Sequence, residues 1–155
     1  MNPLLILDAT SLFETDDRDK EHVGTNPKIM AKAMTSTHFL LWMEKAKVKI
    51  QKAMQRSTSD AEIFITCATG TRRCVAAAAL LKPVLEKMEG YKVLPVENVS
   101  NTEWQQTCNG ECPECANEED MNRKLSIKHA EGSWAMSPPG ALKKRLKGQR
   151  LSEYK

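Results

Sequence analysis

Glu62-Ile63-Phe64-Ile65-Thr66-Cys67-Ala68-Thr69-Gly70-Thr71-Arg72-Arg73-Cys74-Val75-Ala76-Ala77-Ala78-Ala79-Leu80-Leu81 decides the fold. Its first six residues are short and rich in β-formers, while the part beyond Gly70 becomes an alanine and leucine run that favours helix. The small side chains from Val75 to Leu81 let such a helix lie close to a sheet. Pro83 is expected to kink or loosen it, and Gly90 is placed to end it before Tyr91 to Val96, which reads as a further strand. Strand, loop, helix and strand make a βαβ unit. A right-handed crossover puts the loop after Cys67 at the carboxyl edge of a parallel sheet, where open α/β folds bind ligands.

Outward from this unit, the residues on the N-terminal side fit the same class. Leu4 to Leu7 is an apolar run that suits a buried strand delivering Asp8 to its carboxyl edge. Residues 14–27 are dense in charge and turn signals and read as an exposed excursion, and Pro27 opens a short helix. Between Thr37 and Gln55, Phe39, Trp42, Met43, Ala46, Ile50, Ala53 and Met54 recur at helical spacing, while Lys45, Lys47, Lys49 and Lys52 are expected on a solvated face. After Val99 the sequence turns polar, with three clustered cysteines and a basic end. The expectation is therefore an α/β fold of two or three layers, with mainly parallel strands and a P-loop-like strand–loop–helix over residues 1–100. Residues 101–155 form a small cysteine-rich, zinc-knuckle-like appendage with a basic tail.

Composition narrows the function classes. With 155 residues the chain is about one domain long, and 23 basic against 20 acidic side chains leave a net charge of only +3. That balance does not suit a dedicated nucleic-acid coat, so an anion site must be local. Five cysteines accompany eight methionines, and the start lacks the pattern of a signal peptide, which predicts the cytoplasm or another reducing compartment. The longest apolar run, Val75 to Leu81, falls far short of the roughly 20 residues of a membrane helix, so no membrane partner is expected.

The loop from Cys67 to Cys74 has the residue types of an anion cradle. Gly70 permits close approach of the backbone, and the first amides of the following helix are orphan donors that act with the helix dipole. Cys67, Ala68, Thr69, Gly70 and Thr71 would form the cradle, with hydroxyls from the two threonines. Arg72 or Arg73 would supply a planar fork for phosphate. Asp8 and His22 are candidate contacts at the site edge. The Cys-x5-Arg spacing is also that of cysteine phosphatases, with Cys67 as nucleophile and Arg73 as clamp. Asp8, Asp16, Asp17, Asp19 and Asp120 are then candidate general acids, none fixed by a motif. A curled loop would also bring Cys67 and Cys74 close enough to pair under oxidation.

The segment Ile65-Thr-Cys-Ala-Thr-Gly-Thr-Arg-Arg-Cys-Val75 resembles the Gly-Cys-Thr-Gly-Gly-x-His-Arg-Ser-Val segment of the RapZ C-terminal domain family, the bacterial RNase adapters. The likeness covers about residues 3–98. It includes the Asp-ended first strand, a loop with Gly24-Thr25 and a proline, and the long amphipathic helix. Arg72 stands where the family has histidine, and Thr69 replaces one glycine. The resemblance implies an α/β domain that binds an amino-sugar phosphate, with a small RNA as partner in the bacterial adapter, commonly as an oligomer.

Cys108-Asn-Gly-Glu-Cys112-Pro-Glu-Cys115 places three thiols within eight residues, tight enough for one tetrahedral ion. His129 is the leading fourth ligand, with Asp120 or a loop cysteine as alternatives. Zinc is the expected metal. An iron–sulfur cluster, unliganded thiols or a disulfide are the other readings. The basic stretch from Leu142 to Arg150 reads either as a solvated tail or as a contact for RNA or an acidic partner.

The expected function is non-catalytic binding of a phosphorylated ligand: a sugar phosphate, a nucleotide, an RNA phosphate or simply a phosphate or sulfate ion. A cysteine-dependent phosphatase and an accessory subunit of a larger assembly are the alternatives.

Overall fold

The computed structural model describes residues 4–13, 20–56, 60–68, 71–98 and 104–137. In chain order it contains β1 (Leu4–Asp8), α1 (Pro27–Thr35), α2 (Phe39–Arg56), β2 (Glu62–Thr66), α3 (Arg73–Met88) and α4 (Met121–Met136). β1 and β2 pair in parallel, with Leu4 opposite Glu62 and Asp8 opposite Thr66, so both strands end at the same edge. Among the described residues these two strands are the whole sheet.

The expected two-layer or three-layer α/β architecture is thereby corrected to a mainly helical fold built on a two-stranded parallel ribbon. Tyr91 to Val96 forms no strand, and the reason lies in its donors. The Tyr91 amide donates to the Leu85 carbonyl at 3.2 Å, closing the end of α3 over Gly90 at φ +71°. Pro95 has no N–H at all. Two donors are thus unavailable to a ladder. Tyr91 and Val93 still turn inward against the core, while Leu94 and Val96 stay exposed.

α1 begins as its sequence dictates: the Asn26 carboxamide oxygen accepts the Lys28 amide at 2.9 Å, and Pro27 sits in the first turn, where no N–H is missed. α2 buries Phe39, Trp42, Met43, Ala46, Ile50 and Ala53, the stripe read from the sequence. Its Trp42 indole donates to the Asp8 carbonyl at 2.9 Å and holds the helix on the end of β1. α3 runs through Pro83 without ending and buries Val75, Ala76, Ala77, Leu80, Leu81, Val84 and Leu85.

Residues 104–137, expected as part of an appendage, contribute Trp104, Ala130 and Trp134 to the same core as Leu7, Met43 and Leu80. α4 packs on α1, α2 and α3. Lys47 makes this possible, and it is not on the solvated face where the sequence reading put it. It is buried, donates to the Trp134 and Ser137 carbonyls at 2.7 and 2.8 Å, and lies 5.6 Å from the Trp134 ring centroid. A buried ammonium thus caps the carboxyl end of α4, where carbonyls have no helical partner and the dipole favours a cation.

Candidate metal centre

Val23, Gly24 and Asn26 are buried, within the stretch where the sequence suggested exposure. Val23 and Asn26 are essentially inaccessible. Gly24 lies on the first turn of α3, donating to the Thr71 carbonyl at 2.8 Å. A Cβ at Gly24 would meet the Ala76 amide nitrogen at 2.2 Å and the Arg72 carbonyl oxygen at 2.3 Å, so only glycine fits. Two residues before it, His22 turns its Nδ1 toward the three cysteines of the polar segment.

Those cysteines sit on consecutive turns. The Cys108 amide donates to the Glu21 carbonyl at 2.8 Å, which sets the turn beside His22. Asn109 and Gly110 then adopt φ of 59° and 76°, and Gly110 passes so close to Val23 and Thr25 that a Cβ would lie 3.3 Å from each. The Arg123 guanidinium of α4 donates to the carbonyls of Thr25 and Cys115, both at 2.6 Å, clamping the two segments together.

His22 Nδ1 lies 3.8, 3.6 and 3.3 Å from the sulfurs of Cys108, Cys112 and Cys115, and the Cys108 and Cys115 sulfurs are 3.5 Å apart. All four donor atoms fall within 4.8 Å of one another. A tetrahedral ion with ordinary metal–sulfur and metal–nitrogen bonds sets sulfur–sulfur edges of about 3.8 Å and sulfur–nitrogen edges of about 3.6 Å. The residues present fit a metal ion. Around them, Asn26 Nδ2 donates to the Cys115 sulfur at 3.3 Å, and the Glu114 carboxylate lies 3.9 Å from the far nitrogen of His22. Partners of this kind orient first ligands. Burial opposes ionisation of Cys108, yet bonds with His22, the Cys112 amide and Cys115 bring its thiol down to about 6. Burial pushes Cys115 the other way, to about 12, helped by its bonds to Cys112 and Cys108 and resisted by Asn26.

The fourth donor is therefore His22 and not His129. His129 lies on α4 with its ring tilted against Phe39, centroids 6.2 Å apart. Asp120, the other candidate, caps α4 by accepting the Asn122 amide at 2.8 Å. No local spacing could have singled out His22, because it stands 86 to 93 residues from the cysteines. Lys47 was better signalled: it lies four residues after Met43 and three before Ile50, on the buried stripe itself.

The residues expected around an oxyanion occupy the shared edge of β1 and β2. Asp8 is exposed and accepts the Thr10 amide at 2.9 Å; the Thr10 hydroxyl and amide hold its carboxyl below the usual range. Cys67 is half-buried and its sulfur accepts the Cys74 amide at 3.3 Å. Ala68 is exposed, Thr71 is buried, and Thr69 and Gly70 lie outside the described residues. Arg72 donates to the Lys20 carbonyl at 3.5 Å and Arg73 to the Thr10 carbonyl, so each guanidinium ties a loop to the head of α3. Asp16, Asp17, Asp19 and the basic stretch from Leu142 lie outside the described residues.

The sequence matches no protein-family model, and comparison with curated proteins and with solved structures gives no match either. Among the described residues, no helix is long and apolar enough to cross a membrane.

Proposed function

We propose that this chain is a zinc-organised, non-catalytic binding module. One observation carries the reading: His22, Cys108, Cys112 and Cys115 bring four donors from two distant segments to tetrahedral distances. Three thiolates and an imidazole favour zinc among the common divalent ions. With all four positions supplied by protein, no place is left for a reactive water, which is the pattern of a structural centre. Sulfurs packed this tightly leave no room for the several irons of an iron–sulfur cluster. Elemental analysis and native mass spectrometry of the purified full chain test it. One zinc per chain, lost in the Cys112→Ser variant, is expected; a chain that folds with no metal removes the proposal.

What the module binds is a phosphorylated ligand, at the edge where β1 and β2 both end. Supporting this is the Cys67 sulfur at the end of β2, which accepts the Cys74 amide in the first turn of α3, beside Arg73. A guanidinium has five donors, so Arg73 can serve Thr10 and still offer N–H groups to phosphate. It is also the role implied by the resemblance to the RapZ C-terminal domain. Inorganic phosphate and glucosamine 6-phosphate should raise the melting temperature of the wild type and not that of Arg73→Ala. Equal shifts in both proteins would take Arg73 out of the site. Turnover of an aryl phosphate lost in Cys67→Ser would instead make the protein a phosphatase.

A further inference from the structure

Two cysteines have no part in the metal centre. Cys67 ends the strand β2 and Cys74 lies in the first turn of α3, seven residues on, yet the Cys74 amide donates to the Cys67 sulfur at 3.3 Å. The side chains also hydrogen-bond to each other, which with burial holds the Cys74 thiol well above its ordinary value. Neither belongs to a group of three or more metal-ligating side chains among the described residues. Two sulfurs by themselves do not make a tetrahedral donor set, and a hydrogen-bonded pair seven residues apart needs little motion to bond covalently.

The two sulfurs are also unequal. Cys67 is half-buried and reachable, whereas Cys74 is only 9% exposed. Cys67 receives a main-chain N–H and an S–H at the amino end of a 16-residue helix, the surroundings that favour a thiolate. Cys74, enclosed and protonated, cannot meet an oxidant first.

We propose that Cys67 and Cys74 form a hydroperoxide-responsive dithiol, with Cys67 as the attacking sulfur and Cys74 as the resolving one. The Cys67 thiolate attacks the outer oxygen of the hydroperoxide; the O–O bond breaks, and water or an alcohol leaves once the departing oxygen takes a proton. The product is a sulfenic acid on Cys67. The Cys74 sulfur then attacks the Cys67 sulfur. The S–O bond breaks, the hydroxyl leaves as water with the Cys74 proton, and a disulfide joins strand end to helix head. Two thiols lose two electrons and the peroxide gains them. A small thiol reverses the change by exchange. Because the disulfide would take up the Cys67 sulfur, oxidation removes the thiolate from that edge of the molecule.

Stoichiometric hydrogen peroxide on the full-length protein as purified, followed by alkylation and peptide mapping, tests the proposal. The wild type should lose two hydrogens and yield a Cys67–Cys74 linked peptide, whether or not metal is bound. In Cys74→Ser the reaction should stop at the sulfenic acid, captured on Cys67 by dimedone. In Cys67→Ser, Cys74 should remain alkylatable after unfolding, with at least tenfold less oxidation at the same dose. If peroxide first links Cys108, Cys112 or Cys115 while Cys67 and Cys74 stay reduced, the proposal is overturned. It is overturned equally if Cys74 oxidises as fast without Cys67 as with it.

Discussion

The two sulfur sites differ in how many donors converge and from how far. Cys108, Cys112 and Cys115 come from one short segment but are completed by His22, 86 to 93 residues away. Cys67 and Cys74 meet across a single loop and acquire no third ligand among the described residues. Four converging donors can hold an ion, and an ion there would fasten two distant parts of the chain. Two donors at a helix head are too few for a tetrahedral ion, and the chemistry proposed for them is with each other. The same residue type thus suits a structural role at one site and, in the reading proposed above, redox chemistry at the other, and the number of converging donors makes the difference.

The sharpest way to break this comparison is to take away the metal. A structural zinc contributes on the order of 10 kcal/mol, comparable with the whole stability of a domain, so chelation should unfold the molecule. Because Trp134 and Ala130 share the core with α1, α2 and α3, hydrogen exchange should accelerate in all four helices together. Protection lost only in residues 104–116 would mean that the centre braces its own segment and nothing more. Gly24→Ala comes next. Its Cβ would lie 2.2 Å from a backbone nitrogen of α3, and overpacking against rigid main chain should cost about 3 kcal/mol in urea melts.

Lys47→Met probes the contact between α2 and α4 independently of any metal. It leaves the Trp134 and Ser137 carbonyls without their donor, and a loss of about 2 kcal/mol is expected in the same assay. Arg73→Ala removes the bond to the Thr10 carbonyl at an exposed position and should cost about 1 kcal/mol, with zinc content unchanged. A fall in bound metal would show that the two sites are coupled through the head of α3. Lys124→Ala breaks only the exposed 2.6 Å pair with Glu119, which solvent screens, and should leave the urea melt unchanged.

Local pattern carried much of this molecule. The stripe from Phe39 to Ala53, the strand–loop–helix around Cys67 and the tight spacing of three cysteines were all readable, because each depends on residues a few positions apart. The expected third strand failed for a reason that residue types only half disclose. Pro95 was visible, but that the Tyr91 amide would close α3 depended on how the helix ended. The burial of Val23, Gly24 and Asn26 was hidden by the polar composition around them, since Asn26 and Gly24 are inside through their particular contacts and not through their hydropathy.

The sequence by itself determined that three thiols would gather and that a strand would pass into a small-faced helix, for both follow from short-range geometry. Only the tertiary structure decided that His22 and not His129 completes the donor set, and that Lys47 is buried beneath α4. A ligand and a cap are chosen by proximity in space, and proximity across nearly ninety residues is set by the packing of the whole core.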